Sequence, residues 1–313
     1  MPWLALLAGN GLHAVITALL GLSSLTAADS LMILAIAAAA CTVLGAVAAR
    51  RNPAARAPAA RSLAWLNLWT AVTFVAFFLG VAIYGAVVVF TLGASFAPVA
   101  VTAWSGVQAG RDPASTRPGR AQWWAVGLLA VLGCLLVATQ ARPDSRGIAP
   151  LLAAAALGVI DGMAAGGAAV VSRRLGRDGV GVWHVMAHRY YATTGVAAIA
   201  LLVLVPAGVL AAPSMPLSVS VAAALGSLVV PFFLIQYAIQ RLAPVLVTTT
   251  LALIPETALF VEMADGRAVS WPALMLGLLI VPASIAIFAT EHKRPPADQP
   301  AIGGEVVKAV EVV

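Results

Sequence analysis

Apolar residues run through the chain in ten stretches, at 3–22, 30–49, 62–82, 86–107, 122–140, 148–171, 182–205, 217–239, 244–263 and 271–290, with short polar or basic segments between them. Each is about 20 residues long, the length that crosses roughly 30 Å of hydrocarbon as an α-helix. A membrane barrel would instead show runs of about 10 residues with alternating polarity, and these runs do not alternate. The pattern predicts an all-α, polytopic membrane protein with ten transmembrane helices. The weakest break lies between the third and fourth spans, where only the residues around Tyr84 interrupt the apolar run.

A repeat is superimposed on this pattern. Residues 80–98, GVAIYGAVVVFTLGASFAP, and residues 236–256, QYAIQRLAPVLVTTTLALIPE, share one plan: a helix end, a short turn, and a second apolar helix carrying a proline. Gly80 to Pro98 is spaced like Tyr237 to Pro255, and the copies lie 157 residues apart, half the chain. Five spans per half is an odd number, so the second half enters the membrane from the opposite side. The expected organisation is a first five-helix repeat over 1–147, an inverted second repeat over 148–290 and a disordered, Pro-rich tail over 291–313. Inverted repeats place their binding site near the bilayer midplane, between the halves. The alternative is that the likeness reflects only shared membrane composition.

Composition agrees with the pattern. Hydrophobic residues make up 62% of the chain and charged residues 10%, against roughly 25% charged in a soluble domain. Mean hydropathy is +0.99. With a cytoplasmic N-terminus, the inner loops and tail hold 14 Lys and Arg residues and the outer loops only Arg142, Arg146 and Arg267. The positive-inside rule then puts both termini in the cytoplasm of a multi-pass protein of the plasma (inner) membrane. The net charge of +6 follows from those loops facing anionic headgroups, so no nucleic acid is expected as a partner. Cys41 and Cys134 fall inside spans and in no metal-ligand spacing.

Charge inside a membrane costs about 2.5 to 3.5 kcal/mol per residue on insertion scales, so each such residue needs a reason. Asp161 lies in mid-span among Gly158, Gly162, Gly166 and Gly167. Aligning Gly11 with Gly162 sets Asn10 against Asp161, and His13 follows Asn10 on the same helical face. These residues serve either a binding site or helix packing. Glu256 follows Pro255, where a kink would free a carbonyl beside a carboxylate suited to exchanging protons. Glu262 reads as interfacial. In WHVMAHRYYATT, His184, His188 and Tyr191 share one face and Trp183 and Tyr190 another. Arg189 either snorkels to the interface or faces an anionic substrate. Gln236 and Tyr237 are candidate pocket lining. Trp69, one turn from Trp65, either stacks on a ligand or belongs to an interfacial belt. No phosphate-binding loop, nucleophile elbow or close carboxylate pair is present, so neither an enzyme nor an ATP-driven pump is expected, and no metal or cofactor beyond a coupling proton.

The ten spans, the two proline-bearing segments ending in Pro98 and Pro255, and the stretch YAIQRLAPVLVTTTLALIPE together resemble the EamA-like permeases of the drug/metabolite transporter superfamily. HRYY near the start of the seventh span adds to the resemblance, which covers residues 3–290. The chain departs from the family pattern at RDPAS and ADGRA, where a Gly-Glu pair is usual. The resemblance implies a secondary transporter, with proton-coupled export of a small metabolite, amino acid or drug-like solute as the leading expectation. The alternatives are an uncoupled facilitator, importer or lipid-linked flippase of the same fold, or a non-transport membrane protein.

Overall fold

The computed structural model describes residues 1–22, 26–51, 58–84, 86–109, 117–140, 148–252, 254–264 and 271–292. The side chains of Glu256 and Glu262, most of the basic loops and the tail from 293 onward lie outside that description. All regular structure among the described residues is helical: α1 (Pro2–Leu22), α2 (Ala27–Arg51), α3 (Ala60–Ile83), α4 (Ala86–Ala109), α5 (Arg120–Gln140), α6 (Ile148–Arg177), α7 (Val182–Arg189), α8 (Tyr191–Leu204), α9 (Leu217–Ala224), a π-helical turn (Leu225–Val229), α10 (Val230–Ile239), α11 (Pro244–Leu251), α12 (Ile254–Ala264) and α13 (Trp271–His292).

Seven of these helical runs are long and apolar enough to cross a membrane. They make the chain a multi-pass membrane protein, and large apolar side chains such as Leu152, Ile199, Leu202 and Trp124 point outward, as lipid contact requires. The other three predicted spans fall on α1, whose continuous apolar stretch covers Pro2–Ile16, and on two helices that break. Residues 182–205 are divided at Tyr190, which has φ −110° and ψ 9°. Residues 244–263 are divided after Ala252, and Pro255 stands in the first turn of the new helix, where its missing N–H costs nothing. Pro98, by contrast, lies within an unbroken α4. There the hydroxyl of Thr102 donates to the proline carbonyl at 2.8 Å.

Helices α3 and α4 pack on α6, and α1 packs on α10 and α12. Helix α2 lies along α7 and α8 and also meets α9, while α5 bridges α4 and α13. Small residues permit the closest of these approaches, since packing of this kind must replace a hydrophobic driving force that lipid does not supply. The glycines of α6 are the main instance: Gly158 faces Leu92 and Val89, and Gly166 faces Ala97 and Ala100, all on α4.

Both ends of the molecule carry polar ties. Thr26 and Asp29 form a reciprocal cap at the start of α2. The Asp29 amide donates to Thr26 Oγ1 at 3.1 Å, and Asp29 Oδ2 accepts from the Thr26 amide at 3.1 Å and hydroxyl at 2.7 Å. The same carboxylate accepts from the Ser214 amide at 2.8 Å, the Met215 amide at 2.9 Å and the Ser214 hydroxyl at 2.9 Å. One side chain thus ties α2 to the segment leading into α9. At the other end Gln240 Nε2 donates to Val180 O at 3.1 Å, and Arg173 donates to Gln240 O. Asp29→Ala is expected to lower stability by about 2 kcal/mol, because the buried side chain that caps α2 and accepts from the Ser214 and Met215 amides is lost. Thermal unfolding in detergent, followed by tryptophan fluorescence, checks it: an unchanged midpoint would show that water replaces the carboxylate without loss.

Candidate functional site

A cavity of about 390 Å³ lies in the middle of the fold, within the range of small-molecule sites. Its walls come from α1, α2, α3 and α4 before residue 148, and from α6, α7, the π turn, α10, α11 and α12 after it. Aromatic rings dominate the surface. Phe74, Phe77, Phe78, Phe90, Phe232 and Tyr190 all line it, and Phe74 lies against both Phe232 and Tyr190. Tyr190 stacks on Phe232 with 6.2 Å between centroids and a 4° interplanar angle, and Phe77 meets Phe90 edge-on at 4.6 Å. Such packing fixes the rings and leaves a rigid apolar wall.

Polar groups enter this wall at a few points, each placed by a local irregularity. The break at Tyr190 is bridged by Asn67 of α3, whose Nδ2 donates to His188 O and whose Oδ1 accepts from the Ala192 amide at 3.2 Å. The amide side chain thereby satisfies backbone groups that a continuous helix would pair internally. Arg189, just before the break, is turned into the cavity. Its Nε donates to Thr70 Oγ1 at 3.0 Å and its Nη1 to Gln236 Oε1 at 2.6 Å, and its guanidinium carbon sits 5.5 Å from the Tyr190 ring centroid. Both hydrogen-bond partners are neutral, and among the described residues no carboxylate pairs with it. The π turn supplies a second point. Ser227 O lies 2.7 Å from His13 Nδ1, and since a carbonyl only accepts, Nδ1 carries the hydrogen there.

Asp161, on α6, is the third. Its side chain is 9% exposed and lines the cavity. Among the described residues it has no hydrogen-bond or ion-pair partner. The cavity therefore presents a carboxyl and a guanidinium, each without a counter-charge among the described residues, beside aromatic rings.

Of the residues singled out by sequence, His13, Asp161, Arg189 and Tyr190 line this cavity. Gln236, fully buried, contacts it through Arg189 and keeps its Nε2 without a partner among the described residues. Asn10 is buried nearby and donates to Thr250 Oγ1 at 2.7 Å. Tyr237 stands apart: the Arg241 guanidinium covers its ring at 3.7 Å from the centroid. Trp69 also stands apart, stacked on Trp65 with 6.0 Å between centroids and lying against Gly167. Glu256 is on α12, with its side chain outside the described residues. Two residues that position the site, Asn67 and Asp29, have no prominent sequence signal, although Thr26-x-x-Asp29 before an apolar run has the form of a capping box. Among the described residues no cluster of His, Cys, Asp and Glu has the makings of a metal site.

No family model matches the chain, and no curated protein matches it. A solved structure described only as "Crystal structure of protein" superposes on it with a TM-score of 0.65 at 17% identity, over 94% of this chain and 99% of the other. At that identity the likeness is one of fold, and it extends over nearly the whole of both chains.

Proposed function

We propose that the chain is a secondary transporter of the drug/metabolite transporter type, an EamA-like permease of ten spans in two inverted five-helix repeats. It exports a small metabolite, amino acid or drug-like solute by alternating access, coupled to protons. The observation that carries this reading is the central cavity, lined from before and after residue 148 and holding Asp161 and Arg189 without counter-charges among the described residues. A site of this kind binds its solute between two bodies that rock about it.

The packing supports the repeat. With spans counted in order, α6 against α3 and α4 is the counterpart of α1 against α10 and α12, because each helix is exchanged for the one five spans away. Likewise α2 against α9 corresponds to α7 and α8 against α3. In this reading Asp161 and Glu256 are the proton carriers, and proton occupancy of Asp161 changes the charge of the cavity and so the relative stability of its inward-facing and outward-facing forms. Differential affinity for those two forms is what drives such a cycle.

The test begins by comparing solutes exported from cells with and without this chain, and continues with the identified solute in proteoliposomes. Flux is expected to rise with an imposed pH gradient and, in Asp161→Asn/Glu256→Gln, to fall to the level of empty vesicles. Full flux in the double variant would overturn the mechanism, and wild-type flux indifferent to the gradient would point to a facilitator.

A further inference from the structure

Two contacts in the fold occupy the same place in the repeat. The spacing that sets Gly11 on Gly162 sets Asn10 on Asp161, and the 157-residue spacing that sets Gly80 on Tyr237 sets Gly93 on Thr250. The structure brings these four residues together as two pairs. Asn10 on α1 meets Thr250 on α11, and Asp161 on α6 meets Gly93 on α4.

The pairs end differently. Asn10 Nδ2 donates to Thr250 Oγ1 at 2.7 Å, and that hydroxyl donates onward to Val247 O at 2.7 Å. At residue 93 there is no side chain. A Cβ built there would stand 2.2 Å from Asp161 Oδ2 and 3.2 Å from its Cγ, so the carboxyl occupies the space that a threonine would fill. Asp161 is more than nine-tenths buried and lines the cavity, and no described residue donates to it.

We propose that Gly93 is a positioning residue that makes Asp161 an exchangeable proton site, by leaving open in one half the polar pair that Thr250 closes in the other. The proposal rests on the transport reading above and adds to it a reason for the site's location. A buried carboxyl with no partner is costly to keep, and a hydroxyl at residue 93, donating to its own helix and accepting from its partner as that of Thr250 does, would take the acid proton in a hydrogen bond and fix it in place. The glycine removes that hydroxyl and leaves the carboxyl to the contents of the cavity. Among the described residues the other titratable groups facing that cavity are His13 of α1, Arg189 of α7 and Tyr190 at the helix break. Among the described residues, α3, α4, α10 and α11 present none to it.

Dicyclohexylcarbodiimide tests this on the purified full chain without a known substrate. The reagent is apolar and reacts with protonated carboxyls in apolar surroundings: the acid proton moves to a carbodiimide nitrogen, the carboxyl oxygen adds to the central carbon, and the O-acylisourea rearranges to a stable N-acylurea. Peptide mass spectrometry then locates the adduct. Labelling at Asp161 is expected in the wild type and absent in Asp161→Asn. In Gly93→Thr, whose Cβ moves the carboxyl aside and whose hydroxyl then holds the acid proton, it falls about fivefold or more. The other half gives a test that leaves this region untouched. Asn10→Asp stays unlabelled while Thr250 is present, and Asn10→Asp/Thr250→Gly gains the label. Strong labelling of Asn10→Asp with Thr250 intact, or none in the double variant, overturns the proposal while leaving the transport reading in place. An unlabelled Asp161 in the wild-type protein counts instead against Asp161 as the coupling site.

Discussion

Gly162→Leu is expected to prevent the protein from accumulating as a folded monomer, whereas Gly11→Leu, in α1, is expected to be tolerated. A Cβ on Gly162 would stand 2.3 Å from Gly93 O and 3.0 Å from Gly93 C and Cα. All three are backbone atoms, so no side chain can rotate out of the way. Helix α6 would have to lift from α4, and the contacts of Gly158 and Gly166 on the same face would open with it. Overpacking a filled interface costs about 1–3 kcal/mol and occasionally more. The upper end applies here, because close helix packing is itself the source of stability in lipid. Around Gly11 nothing lies within 4 Å of the added carbon. Fluorescence-detected size-exclusion chromatography and thermal unfolding of both variants decide the matter. A monodisperse Gly162→Leu protein with a wild-type melting point would show that α4 and α6 are not held at this distance.

Arg189 carries the second large effect: Arg189→Ala and Arg189→Lys are both expected to abolish substrate flux, the lysine variant with the smaller loss of stability. The guanidinium joins three elements, reaching Thr70 on α3 and Gln236 on α10 from the end of α7. Its planar fork makes two bonds in divergent directions, which one ammonium on a flexible stem does not reproduce. Without it, Gln236 loses the partner of its Oε1, and its Nε2 has none among the described residues to begin with. Leaving that amide unsatisfied in the interior costs about 1–3 kcal/mol. Flux in vesicles and the unfolding midpoint, measured together, separate the two roles. Full flux in Arg189→Lys would mean that only a positive charge is needed and that the fork geometry is incidental.

The spans were legible because the length of an apolar run is a local property. Residues 217–239 reappear as α9, the π turn and α10, and 271–290 as most of α13. The breaks were less so. Pro255 announces the start of α12, but nothing in HRYY announces the break at Tyr190, since the amide that completes it belongs to Asn67, 121 residues from His188. Asp161 stands out in a sequence because a carboxylate in mid-span is rare. The wall around it does not, since Phe74, Phe77, Phe78 and Phe90 are indistinguishable, by composition alone, from rings facing lipid. Trp69 shows the converse. Its spacing from Trp65 suggests a stacking surface, and the ring is used instead to cover Gly167 of α6. Pairing over long distance, rather than local pattern, decides which side of a helix a residue serves.

The bridge at Tyr190 also sets a limit on how the molecule can be divided. Asn67 bonds to α7 and α8 on either side of the break, so any movement that keeps those bonds carries α3 along with them. Asp29 does the same for α2 and the approach to α9. Each tie crosses from one sequence half to the other. Any bodies that move without breaking either tie are therefore interleaved, each drawing helices from before and from after residue 148. The order of the helices along the chain and the groups of helices that these bonds hold together are then different partitions.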